Sequence, residues 1–173
     1  MKNFIIFSFR VLLLLSVTAI FFNSCQTAPQ KKNMEPLINA YVNVWNTGNV
    51  NALDTLAAKN FELRIDPTFT PILGIDSLKK SITITRRMFP DFKVNIDKKI
   101  LTGDTVLLGT WTITGTYSKN LKSSIAGKKI SVPGFSVIFF SGDKITGEWI
   151  AYSDLTMMGQ LGFRIVPLEE HKK

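Results

Sequence analysis

Cysteine and histidine occur once each in this chain of 173 residues, as Cys25 and His171. A single cysteine leaves no internal disulfide and no cysteine-rich metal site. The histidine sits in the polar tail Glu169-Glu170-His171-Lys172-Lys173. No Ser/His/Asp or Cys/His arrangement is therefore available, and a histidine-ligated metal is not expected. Acidic residues are the scarcer charge, 13 against 21 Lys and Arg, for a net charge of +8. That excess is not arranged as a nucleic-acid interface. Lys31, Lys32, Lys172 and Lys173 lie near the ends, and no basic run is interleaved with aromatics along one face. With 45% hydrophobic residues, the chain has enough apolar material for one domain with a real core.

Long apolar runs are missing except for one, Val11 to Phe22, flanked on its N-terminal side by Lys2 and Arg10. It has the length of a signal-peptide core and is short for a membrane span. It ends at Asn23-Ser24-Cys25. A small residue before a lone cysteine just past such a run resembles a bacterial lipobox. The resemblance implies cleavage before Cys25 and lipid attachment to its sulfur. The alternatives are a buried core cysteine or a nearby cut without lipid. The expected organisation is a signal peptide over 1–24, a polar tether over 25–33, a domain over 34–166 and a polar tail over 167–173. Gln26 lacks the look of an inner-membrane retention signal. The expected location is the cell envelope, on the outer membrane facing the periplasm, with the lipid as the sole membrane contact.

After the tether the apolar period is helical. Leu37, Ile38, Tyr41, Val42, Val44 and Trp45 recur at spacings of three and four, predicting a helix over 34–46. Asn49 is placed to cap a second helix over 50–58, and Asp76 a third over 77–89, stopped by Pro90. A short strand is expected over 61–65, where Arg64 shares a face with Glu62. From Lys93 the period changes to two. Val94, Ile96 and Ile100 suggest one strand. Leu107, Gly109, Trp111, Ile113, Gly115 and Tyr117 form one face of a long strand over 105–117. Further strands follow over 129–140 and from Ile145. Turns at Gly103-Asp104 and Gly142-Asp143 make the run an antiparallel meander. In the last strand Ile145, Trp149, Ala151 and Ser153 share one face and Glu148, Ile150, Tyr152 and Asp154 the other. A short helix, 155–161, ends at Gly162, a residue suited to a left-handed cap. Helices followed by a curved antiparallel sheet give an α+β class.

Several stretches carry a family resemblance: Tyr41-x-x-x-Trp45-Asn46-x-Gly48-Asn49, then Phe89-Pro90-Asp91-Phe92, Gly115-Thr116, and Asp143-Lys144-Ile145 followed by Glu148-Trp149 and Gln160-Leu161-Gly162. From Leu37 to Gly162 the chain resembles the SnoaL-like polyketide cyclases, also called ester cyclases. They belong to the nuclear transport factor two superfamily. The resemblance implies a cone, with N-terminal helices packed on a curved antiparallel sheet around an apolar cavity. It implies intramolecular aldol chemistry without a cofactor or metal, in which a pocket Asp removes a proton. That Asp belongs four residues after Trp149 and seven before Gln160, at position 153, which here is Ser153. The nearest carboxylate, Asp154, falls one residue late.

Two readings follow. In the favoured one the chain is a lipid-anchored module that binds a small apolar ligand in the cone without the family's base. Arg64, Trp111, Phe135, Trp149 and Ser153 are the candidate ligand contacts. In the alternative it is a cofactor-free cyclase, isomerase or dehydratase, with Asp154 as base and Tyr117 as oxyanion donor. The competing reading of Ser153-Asp154 is a helix cap. A homodimer through the sheet is the expected assembly.

Overall fold

The computed structural model describes residues 33–66, 70–103, 105–164 and 166. The expected signal peptide, Cys25, the tether up to residue 32 and the tail over 167–173 lie outside the described residues. Among the described residues no helix is long and apolar enough to cross a membrane.

Helix α1 runs Glu35–Thr47 and buries Ile38, Tyr41 and Val44. A 3-10 turn, Val50–Ala52, leads into a single turn of helix, α2, Leu53–Leu56. Asn49 makes no side-chain cap there, and the helix is half the predicted length. The 3-10 turn takes its start, and strand β1, spanning Ala57–Ile65, takes its last two residues. The short β2, Ile72–Leu73, precedes α3, Ile75–Met88. Gly74, not Asp76, occupies the cap position of α3; Asp76 lies in its first turn. Strands β3, Lys93–Thr102, β4, Val106–Thr116, β5, Lys129–Ser141, and β6, Lys144–Tyr152, form the meander. Helix α4, Asp154–Leu161, ends at Gly162 in the left-handed region, φ 94°.

The six strands lie in the order β2-β1-β6-β5-β4-β3. The sheet is mixed: β1 pairs parallel with β6, and every other pair is antiparallel. Sequence periodicity identifies β1 as a strand and carries no information about its neighbour, so the parallel pair was not expected. The helices cover one face. There Tyr41, Phe61, Leu63, Leu78, Ile82 and Ile145 are almost fully buried.

Two irregularities decide which side chains face inward. In β3 the register against β4 shifts between Ile96 and Lys98. In β6 it shifts against β5 at Phe139/Phe140, where Gly147 and Ile145 oppose consecutive residues and Thr146 is the extra one. An extra residue reverses the alternation beyond it. Ile145 and Glu148 are accordingly both buried, while Trp149 is turned out. In β3, Lys99 comes to line the interior, and Ile100, expected alongside Val94 and Ile96, is 61% exposed.

Helix α1 is tied to β3 near both ends. Asn46 accepts from the Val94 amide at 2.6 Å and returns its own amide to the Val94 carbonyl at 3.2 Å. At the other end Lys99 is ion-paired with Glu35. The C-terminus of α1 is closed by Arg86 of α3, whose guanidinium donates to the carbonyls of Trp45, Asn46, Phe92 and Pro90. A cation here also complements the helix dipole. Gly48, φ 77°, lets Arg86 in: a Cβ at this position would stand 2.7 Å from Arg86 Cδ. Gly48→Ala is expected to lower unfolding free energy by at least about 1–2 kcal/mol, from left-handed backbone strain alone. Urea denaturation measures it, and an unchanged midpoint contradicts this reading of the cap.

Phe89-Pro90-Asp91-Phe92 works as expected. Phe89 and Phe92 are buried, and the aromatic pair Trp45–Phe92 has its centroids 6.1 Å apart. Asp91 accepts from the Thr116 amide at 2.6 Å and its hydroxyl at 2.8 Å. The amide bond is the main reason the Asp91 carboxyl is held below the usual range.

Candidate functional site

Cross-strand partners share a face of the sheet, so the inner face can be followed rung by rung. One rung is Lys99, Gly109, Ser136, Ile150 and Ile65. The next is Leu101, Leu107, Ile138, Glu148 and Leu63. On the other side lie Ile96, Trp111, Gly134 and Tyr152. Between these rungs and α1 is a cavity of about 60 Å³, lined by apolar side chains together with Tyr41, Trp45, Trp111, Ser136, Lys99 and Glu148. Its least buried lining residues, Val42, Trp45, Val94, Ile96 and Lys99, all come from α1 and β3. The cavity therefore approaches solvent along the seam between those two elements.

Glu148 is the carboxylate in this cavity, and its residue is only 5% exposed. Tyr41 donates its hydroxyl proton to Glu148 Oε2 at 2.7 Å. The Ser136 hydroxyl also reaches the carboxyl group, and Ser136 Oγ in turn accepts from Trp111 Nε1 at 2.8 Å. On the α1 side, the Trp45 side chain partly offsets the rise in the Tyr41 phenol pKa. Two hydroxyl groups, Tyr41 and Ser136, thus flank one carboxyl group. Burial nonetheless dominates: desolvation raises the Glu148 pKa, and the hydrogen bonds from Ser136 and Tyr41 only partly oppose it. Burial also pushes the Tyr41 phenol well up, and the adjacent Glu148 adds to that. The site therefore holds a neutral phenol beside a carboxyl group inclined to keep its proton. Such a group donates a hydrogen bond when neutral and accepts a proton when charged. No group of three or more His, Cys, Asp or Glu suited to a metal occurs among the described residues.

The position of Trp111 depends on Gly134. A Cβ at Gly134 would lie 2.3 Å from the indole ring. The absent side chain is the space into which the ring folds, bringing Nε1 to Ser136.

The family model of the SnoaL-like polyketide cyclases matches residues 35–161. The chain belongs to that family. Solved structures agree on the fold. A protein from Acidithiobacillus ferrooxidans, assigned as a polyketide cyclase, superposes with a TM-score of 0.65 at 24% identity, over 79% of this chain and 97% of that one. A SnoaL-like polyketide cyclase from Agrobacterium tumefaciens gives 0.62 at 17% identity, over 76% and 99%. A protein of ketosteroid isomerase-like fold from Catenulispora acidiphila, in complex with trimethylamine, gives 0.63 at 22% identity, over 82% and 100%. Likeness at these identities carries the fold alone. No protein of curated function matches the sequence.

In this SnoaL-like domain, most of the residues proposed from the sequence stand outside the cavity. Trp111 lines it. Trp149 and Phe135 do not: they are 46% and 47% exposed on the outer face, where Trp149 packs edge-on against Phe139 at 5.3 Å. For Trp149 the bulge in β6 is the reason, because it gives the inward places to Ile145 and Glu148; Phe135 is turned out by the regular alternation of β5, in which Gly134, Ser136 and Ile138 face in. Arg64 pairs across the sheet with Trp149, so it too is on the outer face, in an ion pair with Glu62. Ser153, at the position of the family's Asp, is the N-cap of α4, its Oγ accepting from the Thr156 amide at 3.2 Å. Asp154 is exposed in the first turn of α4. It acts on Tyr152, whose pKa is raised mainly by burial and then by this neighbour. Tyr117 stacks edge-on with Phe89 at 5.5 Å, outside the cavity lining.

Glu148 and Tyr41 are not among the candidate site residues read from the sequence. Tyr41 reads as one more apolar position of an amphipathic helix. The signal at Glu148 was an acidic residue in the middle of a largely apolar strand, on the face opposite Trp149.

Proposed function

We propose that this SnoaL-like domain binds a small ligand in its cone through Glu148 and Tyr41. The observation that carries the reading is the fully buried Glu148–Tyr41 hydrogen bond at 2.7 Å in the cavity wall. A buried, hydrogen-bonded carboxyl group costs stability that an apolar side chain would not, so its retention points to use. The volume sets the ligand class. About 60 Å³ accommodates roughly four to six water-sized groups, well below the several hundred Å³ usual for larger ligands. The trimethylamine complex of the Catenulispora protein is consistent with a ligand of this size. The test is a thermal-shift screen of small polar organic molecules against the wild type, Asp154→Asn and Glu148→Gln. The expected result is a set of hits shared by wild type and Asp154→Asn and lost in Glu148→Gln. Hits indifferent to Glu148→Gln refute the reading.

The cyclase or isomerase reading retains support in the family itself. In that reading Glu148 takes the acid/base role, because it has the burial that Asp154 lacks together with two hydroxyl neighbours, Tyr41 and Ser136. Turnover of a small activated carbonyl compound by the wild type, absent in Glu148→Gln, would favour it over simple binding.

We also propose that the protein is a lipoprotein of the cell envelope, anchored through Cys25. Metabolic labelling with a fatty acid, lost in Cys25→Ala, tests this. The outer sheet face offers a rung of Ile100, Leu108, Val137 and Trp149, exposed by 61%, 41%, partly, and 46%. Pairing of two copies over this face is part of the proposal. Sedimentation is expected to give a dimer for the domain without residues 1–25 and a monomer for the same chain carrying Trp149→Glu. A wild-type monomer contradicts it.

A further inference from the structure

The cavity has a negative group and no cation committed to it. Of its lining residues only Glu148 and Lys99 carry charge, and Lys99 is engaged by Glu35 at the seam. The partners of Glu148 are hydroxyl groups, Tyr41 and Ser136. Hydroxyls stabilise a carboxylate far less than a counter-charge does. The remaining walls are aromatic: Tyr41, Trp45 and Trp111 all border the space. Indole and phenol rings attract cations through their quadrupoles, most strongly where water is excluded. A buried carboxyl group, three aromatic side chains and room for a handful of heavy atoms form a complementary set.

We propose that the ligand of the cone is a small organic cation, an alkylated ammonium ion seated between Trp45, Trp111 and Tyr41 with Glu148 as its counter-ion. This rests on the small-ligand reading above and adds the sign of the charge. Burial without a counter-charge raises the Glu148 pKa, and a neutral ligand leaves that cause in place. A cation supplies the missing opposite charge and lowers the pKa again, so binding releases a proton at pH values between the two. The titratable groups facing Glu148 are few. Helix α1 contributes Tyr41, β3 contributes Lys99 paired with Glu35, and β6 contributes Tyr152 further along. The inward residues of β1, β4 and β5 on these rungs are apolar, Gly or Ser. Between the free and the ligand-bound pKa of Glu148, that residue is thus the source of the released proton.

Titration calorimetry with tetramethylammonium, and with tert-butanol as a neutral molecule of equal non-hydrogen atom count, tests the inference. The wild type is expected to bind the cation about tenfold or more tighter than the alcohol. Proton release is read from runs in two buffers of different ionisation enthalpy. Glu148→Gln is expected to abolish the preference and the proton release. Trp45→Leu, at the half-buried rim, is expected to weaken the cation about fivefold and leave the alcohol unchanged. This second variant decides the matter if Glu148→Gln does not fold. Equal binding of both probes, sensitive to Glu148, overturns the cation and leaves the small-ligand site standing. Binding of neither overturns both.

Discussion

Gly134→Ala is expected to destabilise the domain by about 3 kcal/mol, a large effect for one added methyl group. The new Cβ would stand 2.3 Å from one Trp111 ring atom, 2.6 Å from another and 2.8 Å from the Ala151 carbonyl. The backbone on that side is held by the β5–β6 ladder, in which Gly134 pairs with Tyr152. The indole must therefore move. Moving it breaks the 2.8 Å bond to Ser136 and disturbs its tilted contact with Tyr152, at 6.4 Å between centroids. The loss combines overpacking with an unsatisfied buried donor. Trp111→Leu relieves the ring clash, so the double variant should be more stable than the sum of the single losses predicts, by about 1–2 kcal/mol. Chemical denaturation of the four proteins measures this coupling. Strict additivity would mean that Trp111 does not occupy the space above Gly134.

The second large effect separates stability from function. Glu148→Gln keeps the side-chain shape, still accepts from Tyr41, and ends the burial of an ionisable group. At neutral pH it is expected to raise unfolding free energy by about 1–3 kcal/mol while removing ligand binding. The sign follows from the raised pKa of Glu148. Above the ordinary glutamate value the unfolded chain has released this proton and the folded chain still holds it. The folded state then binds more protons, so stability falls as pH rises through that window and levels off above the folded pKa. Below the ordinary value both states are protonated and the penalty vanishes. The gain from Glu148→Gln should therefore shrink toward zero in acid. Paired melting curves across pH measure it. A variant less stable than the wild type at neutral pH, with the same pH slope, would mean that the buried carboxyl group stabilises the fold. A gain in stability bought with lost binding is the pattern of a functional group kept against its structural cost.

Much of the fold was legible because it rests on periodicity and punctuation. Helix α1 follows from the spacing of Ile38, Tyr41 and Val44, the inward face of β4 from Leu107 to Gly115, and the end of α4 from Gly162. The site was less legible, and the reason is local. One extra residue at Thr146 changes the face of everything that follows it in β6, and one near Asp97 does the same in β3. Neither carries a Gly or Pro at the shifted residue to announce it. Family resemblance directed attention to position 153, where the aligned residue had become a helix cap. The buried carboxyl group instead sits five positions earlier in β6 and takes its hydroxyl partner from a helix more than a hundred residues away, Tyr41, at a sequence separation of 107. Pairwise geometry at that range is set by the curved sheet and its helix, which local patterns do not encode.

The most direct test of Glu148 as the chemical centre of the cone is its own titration. Carbon-detected NMR of the side-chain carboxyl, assigned by its loss in Glu148→Gln, gives the pKa of this residue without requiring a ligand. The account predicts a value above that of an ordinary glutamate, returned downward when a small alkylammonium ion is bound. A value at or below the ordinary one in the free protein would place the carboxyl group in water or against a cation, and would contradict the site described above.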